Sequence, residues 1–358
     1  MDVFHLNDLA IDLVSPDNDI KKLMQTVKPD WEQDKIQIKN LSGGYSCGTY
    51  KVRSENEDND VLIVRVRKLF SDHNIITNPD FENKVVEALS KANIFAKVYA
   101  VFKNGYCYQF LDGKPLLNLT VPDENVAIED YPFKEIAIAM ARIHSEKLVG
   151  EDFTEETSFE KIKNVLKNDY PNNPDIPQVS ELEIELEQLC EVNKKFQQNI
   201  VLCHGDTHAG NIIWDKETGA TTFVDWEVAH IGYPAYDIAY FFDILDSKVI
   251  IPSVQMPTVD PGAVLGIKMQ FIRDYLEKWS ELQQDVIITD EIVENFHKEI
   301  EFFRLIVYIN VVVMLGAITA KAAENVSEDL PTTPNEFILS YFKAYQDSKE
   351  EILALLDS

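Results

Sequence analysis

The residues that could do chemistry cluster in one stretch, residues 201–237, VLCHGDTHAGNIIWDKETGATTFVDWEVAHIGYPAYD. Asp206 stands five residues before Asn211, and Asp225 closes the next short apolar run. A carboxylate, a carboxamide and a second carboxylate on a loop and a following β-hairpin suit phosphoryl transfer. That reaction asks for one group to orient and accept the proton of an attacking hydroxyl, and for hard oxygen ligands to Mg²⁺. Asp206 would meet the first need, and the side-chain oxygens of Asn211 and Asp225 the second.

The spacing D-x-x-x-x-N equals that of the protein-kinase catalytic loop, with His204-Gly205 where that loop has His-Arg. The whole string, HGDTHAGN followed by a hairpin and VDWE, resembles the aminoglycoside phosphotransferase superfamily and, within it, the choline/ethanolamine kinases. Asp225-Trp226-Glu227 followed by Tyr236-Asp237-Ile238 is similar to the family's DYE…(Y/F)DI pattern, and VYAVFKNGYCYQFLDG (residues 98–113) to its approach to the interlobe hinge. The resemblance implies an α+β, protein-kinase-like fold of two lobes: a small antiparallel-sheet N-lobe that binds nucleotide (1–112) and a larger, mainly helical C-lobe for catalysis and substrate (113–358).

It also implies partners for the catalytic set. In LSGGYSCGTYKV, the amides near Gly43, Gly44 and Ser46 would cover nucleotide phosphates, since glycine lets the main chain approach closely. Arg65, within the strand-like VLIVRV, matches the superfamily's phosphate-binding cation, and Glu82 its partner, although a plain structural ion pair explains both. Gln109, Phe110 and Leu111 would offer backbone groups to an adenine. Glu227 would face the same way as Asp225 if the strand continued. Asp237 would brace the catalytic loop and His204, while His208 and His230 are candidate substrate-side groups.

One departure concerns the acceptor. The family holds its cationic substrates with tryptophans on a late helix, through cation–π attraction. Here those positions fall on Val312 and Leu315, and the family's Asn-His pair after Asp237 becomes Tyr240-Phe241. Tyr240, Phe241, Phe242, Tyr308 and Tyr341 could rebuild an aromatic wall or belong to the core, and Asp243 lies beside them. The expected activity is thus an ATP- and Mg²⁺-dependent transfer to the hydroxyl of a small molecule, with ethanolamine or choline preferred. An aminoglycoside or sugar acceptor keeps the same chemistry. A silent nucleotide-binding pseudokinase would be expected to lack one of Asp206, Asn211 and Asp225.

The remaining elements must position this set. Over 358 residues the chain has 45 % hydrophobic and 26 % charged residues, a globular composition long enough for about two domains. The net charge of −28 disfavours nucleic acid and anionic lipid surfaces as partners and favours a cationic small molecule. Four scattered cysteines and an acidic first stretch lead to the expectation of a cytoplasmic protein without a signal peptide. Leu305–Ala320 is apolar but shorter than a bilayer span, so a core helix is expected there, with no stable membrane insertion. Oligomeric state has no signature in the sequence.

Alternating and turn-bounded runs predict strands at 36–38, 48–52, 61–66, 98–101 and 106–110, the last two joined at Asn104-Gly105. Residues 1–34 read as one or two short helices. Helical spacing predicts helices over 81–92, 133–144, 159–166, 180–196, 235–246, 264–279, 290–323 and 335–355. Short strands at 212–214 and 221–224 flank the turn DKETGA.

Overall fold

The structure is a computed structural model and describes residues 3–43, 47–56, 60–68, 79–116, 131–147, 157–196, 199–246, 261–283, 286–324 and 334–357. The chain divides into two compact units, Met1–Asp112 and Gly113–Ser358.

The first unit is built on a six-stranded sheet. Its strands are β1 (Phe4–Leu6), β2 (Ile36–Gly43), β3 (Cys47–Ser54), β4 (Val61–Arg67), β5 (Val98–Phe102) and β6 (Gly105–Gln109), in the order β1-β5-β6-β4-β3-β2. Four of the pairings are antiparallel: β2–β3, β3–β4 and β5–β6 join consecutive strands, and β4–β6 seats the β5–β6 hairpin beside β4; β1 alone runs parallel, to β5. Helix α1 (Asp17–Val27) buries Ile20, Leu23, Met24 and Val27, positions i, i+3, i+4 and i+7 of one apolar stripe. These side chains pack with Val52, Leu62, Val64 and Val66 of the sheet in one hydrophobic cluster. Helix α2 (Pro79–Lys91) buries Val85, Val86 and Leu89 together with Glu82.

Strand β1 was not expected, because three residues carry no readable alternation and only the exposed edge of β5 makes Phe4–Leu6 a strand. The β5–β6 hairpin forms at Asn104-Gly105 for reasons beyond turn propensity. Asn104 is buried, accepts the amide of Ile11 at 2.9 Å and donates to the Ile11 carbonyl at 2.9 Å. Gly105 lies so near β4 that a Cβ there would stand 2.0 Å from the Arg65 carbonyl oxygen, so close approach demands the glycine.

The second unit is mainly helical: α3 (Phe133–Ser145), α4 (Ser158–Asn168), α5 (Val179–Asn193), α6 (Pro234–Asp246), α7 (Pro261–Gln283), α8 (Asp290–Glu324) and α9 (Pro334–Leu356). Short strands accompany them. Strand β7 (Lys114–Pro115) pairs with β9 (Ile212–Trp214), which pairs with β10 (Thr221–Phe223); β8 (Val201–Cys203) pairs with β11 (His230–Gly232). Helix α8 has the length and apolarity of a membrane span, yet 72 % of its most apolar window is buried inside the protein. Leu305, Ile306, Val307, Ile309, Val312 and Val313 are all buried in this unit's core, which accounts for the long apolar run. Helix α6 packs on α8 and, through Asp237, on the loop after β8.

Candidate active site

Strand β8 delivers the chain into the loop His204–His208, and a 3-10 turn (Ala209–Asn211) returns it to β9. The loop needs Gly205 in the left-handed region, at φ +84°, where an added Cβ would stand 2.6 Å from the Val228 carbonyl oxygen. Two side chains then fix its backbone. Asp237, buried on α6, accepts the amides of His204 at 2.6 Å and Gly205 at 2.9 Å. His144 of α3 donates to the same carboxylate at 3.1 Å, and its other ring nitrogen accepts from the Tyr275 hydroxyl at 2.9 Å. Burial pushes the Asp237 pKa up, but the bond from His144 and the bond from the Gly205 amide oppose it, and the carboxyl stays below its ordinary value.

His204 is the second brace. Its ring is buried against Trp226, with centroids 4.5 Å apart, and Phe223. Nε2 donates to the Val224 carbonyl at 2.9 Å, while Nδ1 accepts the Asp206 amide at 3.2 Å. One imidazole thus ties the residue that precedes Asp225 to the backbone of Asp206. The Val224 amide also donates to the Asn211 carbonyl at 2.9 Å, which binds the 3-10 turn to the same place. Asp225 itself sits at φ +70°, a conformation costly for a side chain bearing a Cβ and held here by the surrounding bonds.

The Asn211 amide nitrogen donates to both the main-chain oxygen and Oδ2 of Asp206, each at 3.0 Å. With the donor end of the carboxamide turned to Asp206, its Oδ1 is the end that can meet a cation. His208 brings Nε2 to 3.4 Å from Asp206 Oδ2, and its Nδ1 accepts the Gly210 amide at 2.9 Å, capping the 3-10 turn. Burial favours neutral His208, yet the charges of Asp206 and Asp225 prevail and raise its pKa above the ordinary histidine value. For Asp206, burial opposes the charge, whereas His208, His204 and a hydrogen bond from Tyr240 of α6 lower the carboxyl below its usual range. The set is a carboxylate kept ionised, a carboxamide oxygen and a second carboxylate, all hard oxygen donors suited to Mg²⁺.

Several expected positions fall elsewhere. Strand β10 stops at Phe223, and Glu227 lies in the turn that follows, so strand alternation does not place it beside Asp225. His230 is a structural residue, not a substrate-side group: it is buried, donates from Nδ1 to the Val228 carbonyl at 3.1 Å and meets the Ser158 hydroxyl at 2.7 Å through Nε2. Tyr308, Phe241 and Phe242 belong to the core, as does Val312, so none of them forms an exposed wall. Tyr341 is buried too and hydrogen-bonded to the half-buried Asp243. Tyr240 is half-buried. A cavity of about 780 Å³ in this unit, lined by Leu202, Ile231, Leu276, Trp279 and Ile292 among others, contains none of Asp206, Asn211 and Asp225 in its walls.

In the first unit, Arg65 and Glu82 come together as expected, with Nε to Oε1 at 3.7 Å. Arg67 makes the tighter contact to Glu82 through Nη1 and reaches Asn83 Oδ1 at 2.9 Å, a partner overlooked in the sequence although period-two spacing places it on the face of Arg65. Two buried guanidiniums therefore share one carboxylate. Gly43 ends β2 opposite Gly48; Gly44 and Ser46 lie outside the described residues. The amides of Gln109 and Phe110 donate to the carbonyls of Lys97 at 2.9 Å and Val61 at 3.0 Å. Both amides are thus engaged within this unit.

The sequence model of the choline/ethanolamine kinase family matches residues 38–330. The chain is 25 % identical over 289 residues to rat ethanolamine kinase 2, spanning 79 % of this chain and 70 % of that protein. Among solved structures it is similar to a Plasmodium vivax ethanolamine kinase (TM-score 0.69, 19 % identity, 91 % of this chain and 88 % of the other). It is likewise similar to a choline kinase from Cryptosporidium parvum (TM-score 0.70, 20 % identity, 94 % of this chain and 96 % of the other).

Proposed function

The chain belongs to the choline/ethanolamine kinase family, and from that premise we propose that it transfers the γ-phosphoryl group of ATP to the hydroxyl of an amino alcohol, ethanolamine or choline. The observation that carries this reading is the joint anchoring of Asp206, Asn211 and Asp225 through His204, Val224 and the Asn211 amide.

In this reading Asp206 accepts a hydrogen bond from the acceptor hydroxyl and orients its oxygen toward the γ-phosphorus. The new P–O bond forms as the bond to the leaving β-phosphate oxygen breaks, ADP departs with that electron pair, and the hydroxyl proton passes to Asp206. A carboxyl held below its ordinary pKa stays ionised at neutral pH, which suits a group whose work is orientation and late proton acceptance. Asn211 Oδ1 and the Asp225 carboxylate would hold Mg²⁺, which when bound supplies positive charge to the phosphate oxygens. Arg65, with Glu82 and Arg67 fixing its surroundings, is the cation proposed for the nucleotide phosphates, and Gly43 the near edge of the turn proposed to cover them.

Coupled ATP consumption by the purified protein tests the reading, with ethanolamine, choline, an aminoglycoside and simple sugars offered in turn. Turnover with ethanolamine or choline supports it. Turnover confined to an aminoglycoside or sugar would move the acceptor to another class, and ATP binding without turnover of any acceptor would overturn the reading.

A further inference from the structure

His208 is engaged at both ends of its ring. Nδ1 accepts the Gly210 amide at 2.9 Å and so caps the 3-10 turn Ala209–Asn211. Capping needs only an acceptor, which serine, threonine, aspartate or asparagine supplies from a shorter side chain. The imidazole adds a second nitrogen on its far side, and this Nε2 stands 3.4 Å from Oδ2 of Asp206. The capping bond also places the ring proton. With Nδ1 accepting, a neutral imidazole carries its hydrogen on Nε2, and an imidazolium carries one there as well. Nε2 therefore presents an N–H to Asp206 in either protonation state. Asn211 donates to the same Oδ2 at 3.0 Å, and its own amide donates to the His208 carbonyl at 2.9 Å. One turn thus sets both donors relative to each other and brings them to a single carboxylate oxygen.

We infer that His208 is a positioning residue of the transfer reaction: its Nε2–H, aligned by the bond from Gly210 to Nδ1, joins Asn211 in directing Oδ2 of Asp206 at the turn, so that Oδ1 is the oxygen presented to the acceptor hydroxyl. This role presupposes the reading of Asp206 as the group that receives the acceptor's proton. His208 then acts through Asp206 and not by touching the substrate. A single donor on Oδ2 leaves the carboxylate able to swing about that contact, whereas two donors from one rigid turn hold it in one setting. The cap and the contact to Asp206 belong to different nitrogens, so they can be removed one at a time.

The test compares full-length wild type, H208N and H208Q in the ATP-coupled assay with ethanolamine and choline, with thermal unfolding of each. H208N keeps an acceptor where Nδ1 stands and has no group where Nε2 stands. H208Q carries an N–H out to the place of Nε2 and gives up the capping acceptor. In H208N kcat should fall about fivefold, the scale of one hydrogen bond, with KM for ATP and for the acceptor unchanged and the unfolding temperature near that of wild type. H208Q should recover most of that rate while unfolding at a lower temperature than wild type, because the cap is lost. A wild-type kcat in H208N overturns the inference. So does an equal fall in H208Q, which would make the cap the whole role of His208, and so does a raised acceptor KM at unchanged kcat in H208N, which would make it a substrate contact. Absence of turnover by wild type on both acceptors instead overturns the reading of Asp206 on which the inference stands.

Discussion

The carboxamide nitrogen of Asn211 donates to Oδ2 of Asp206 at 3.0 Å, and the proposed roles of both residues turn on this contact. It holds the carboxylate in place, and it fixes which end of Asn211 is available to a cation. A five-residue spacing in sequence becomes a contact because the 3-10 turn Ala209–Asn211 folds the chain back on the loop. Each prediction below follows from one such link.

Asp237 is the keystone of the loop His204–His208. Asp237→Ala would leave two buried amides and His144 without their acceptor, at about 1–3 kcal/mol for each unsatisfied group. Urea denaturation should show a lower midpoint by an amount equivalent to several kcal/mol, together with loss of turnover. A midpoint near the wild-type value would mean that the loop is held by other contacts.

Stability should fall on mild acidification because of His230. Its pKa is lowered to about 4, chiefly by burial and then by Lys161, from an ordinary 6.5. Below pH 6.5 the unfolded chain takes up a proton that the folded chain refuses until about pH 4. The stabilisation is therefore present in full above pH 6.5 and is lost as pH falls toward 4, up to about 3 kcal/mol. His230→Gln should flatten the slope of unfolding free energy against pH in that window. An unchanged slope would contradict the account of His230 as a buried neutral residue.

Asp225 is predicted to act through the metal. Asp225→Ala should raise the Mg²⁺ concentration needed for half-maximal rate and weaken Mg²⁺-dependent nucleotide binding, read by calorimetry with and without the cation. An Mg²⁺ titration superimposable on that of wild type would remove Asp225 from the ligand set.

What the sequence made legible divides by physical scale. Long amphipathic segments could be read: the face Ile136, Ala137, Met140, Ile143 of α3 is buried as its spacing indicates, because repetition over several turns averages out local exceptions. Among the strands of two or three residues, β9 and β10 could be read from the turn DKETGA between them, whereas β1, β7, β8 and β11 left no such trace, since each exists through its partner and not through its own pattern. At the site, the HGDTHAGN string marked the loop and its members, but not what holds them. His144 looked like one more polar residue at a helix end, and its contact with Asp237 spans 93 positions. Glu227 shows the opposite failure: an argument from alternation was carried past the point where the strand ends. Arg67 could have been found, since it sits two residues beyond Arg65 in the same strand.

The most direct measurement is the turnover of Asp206→Asn with ethanolamine and choline beside that of wild type, with nucleotide affinity and unfolding midpoint recorded on both. Asparagine matches the shape of aspartate and keeps an oxygen for Asn211, but it cannot take the acceptor's proton. The account predicts kcat reduced by at least ~10²-fold, the scale of general-base effects, with nucleotide binding and folding essentially retained. Wild-type kcat in that variant would contradict it.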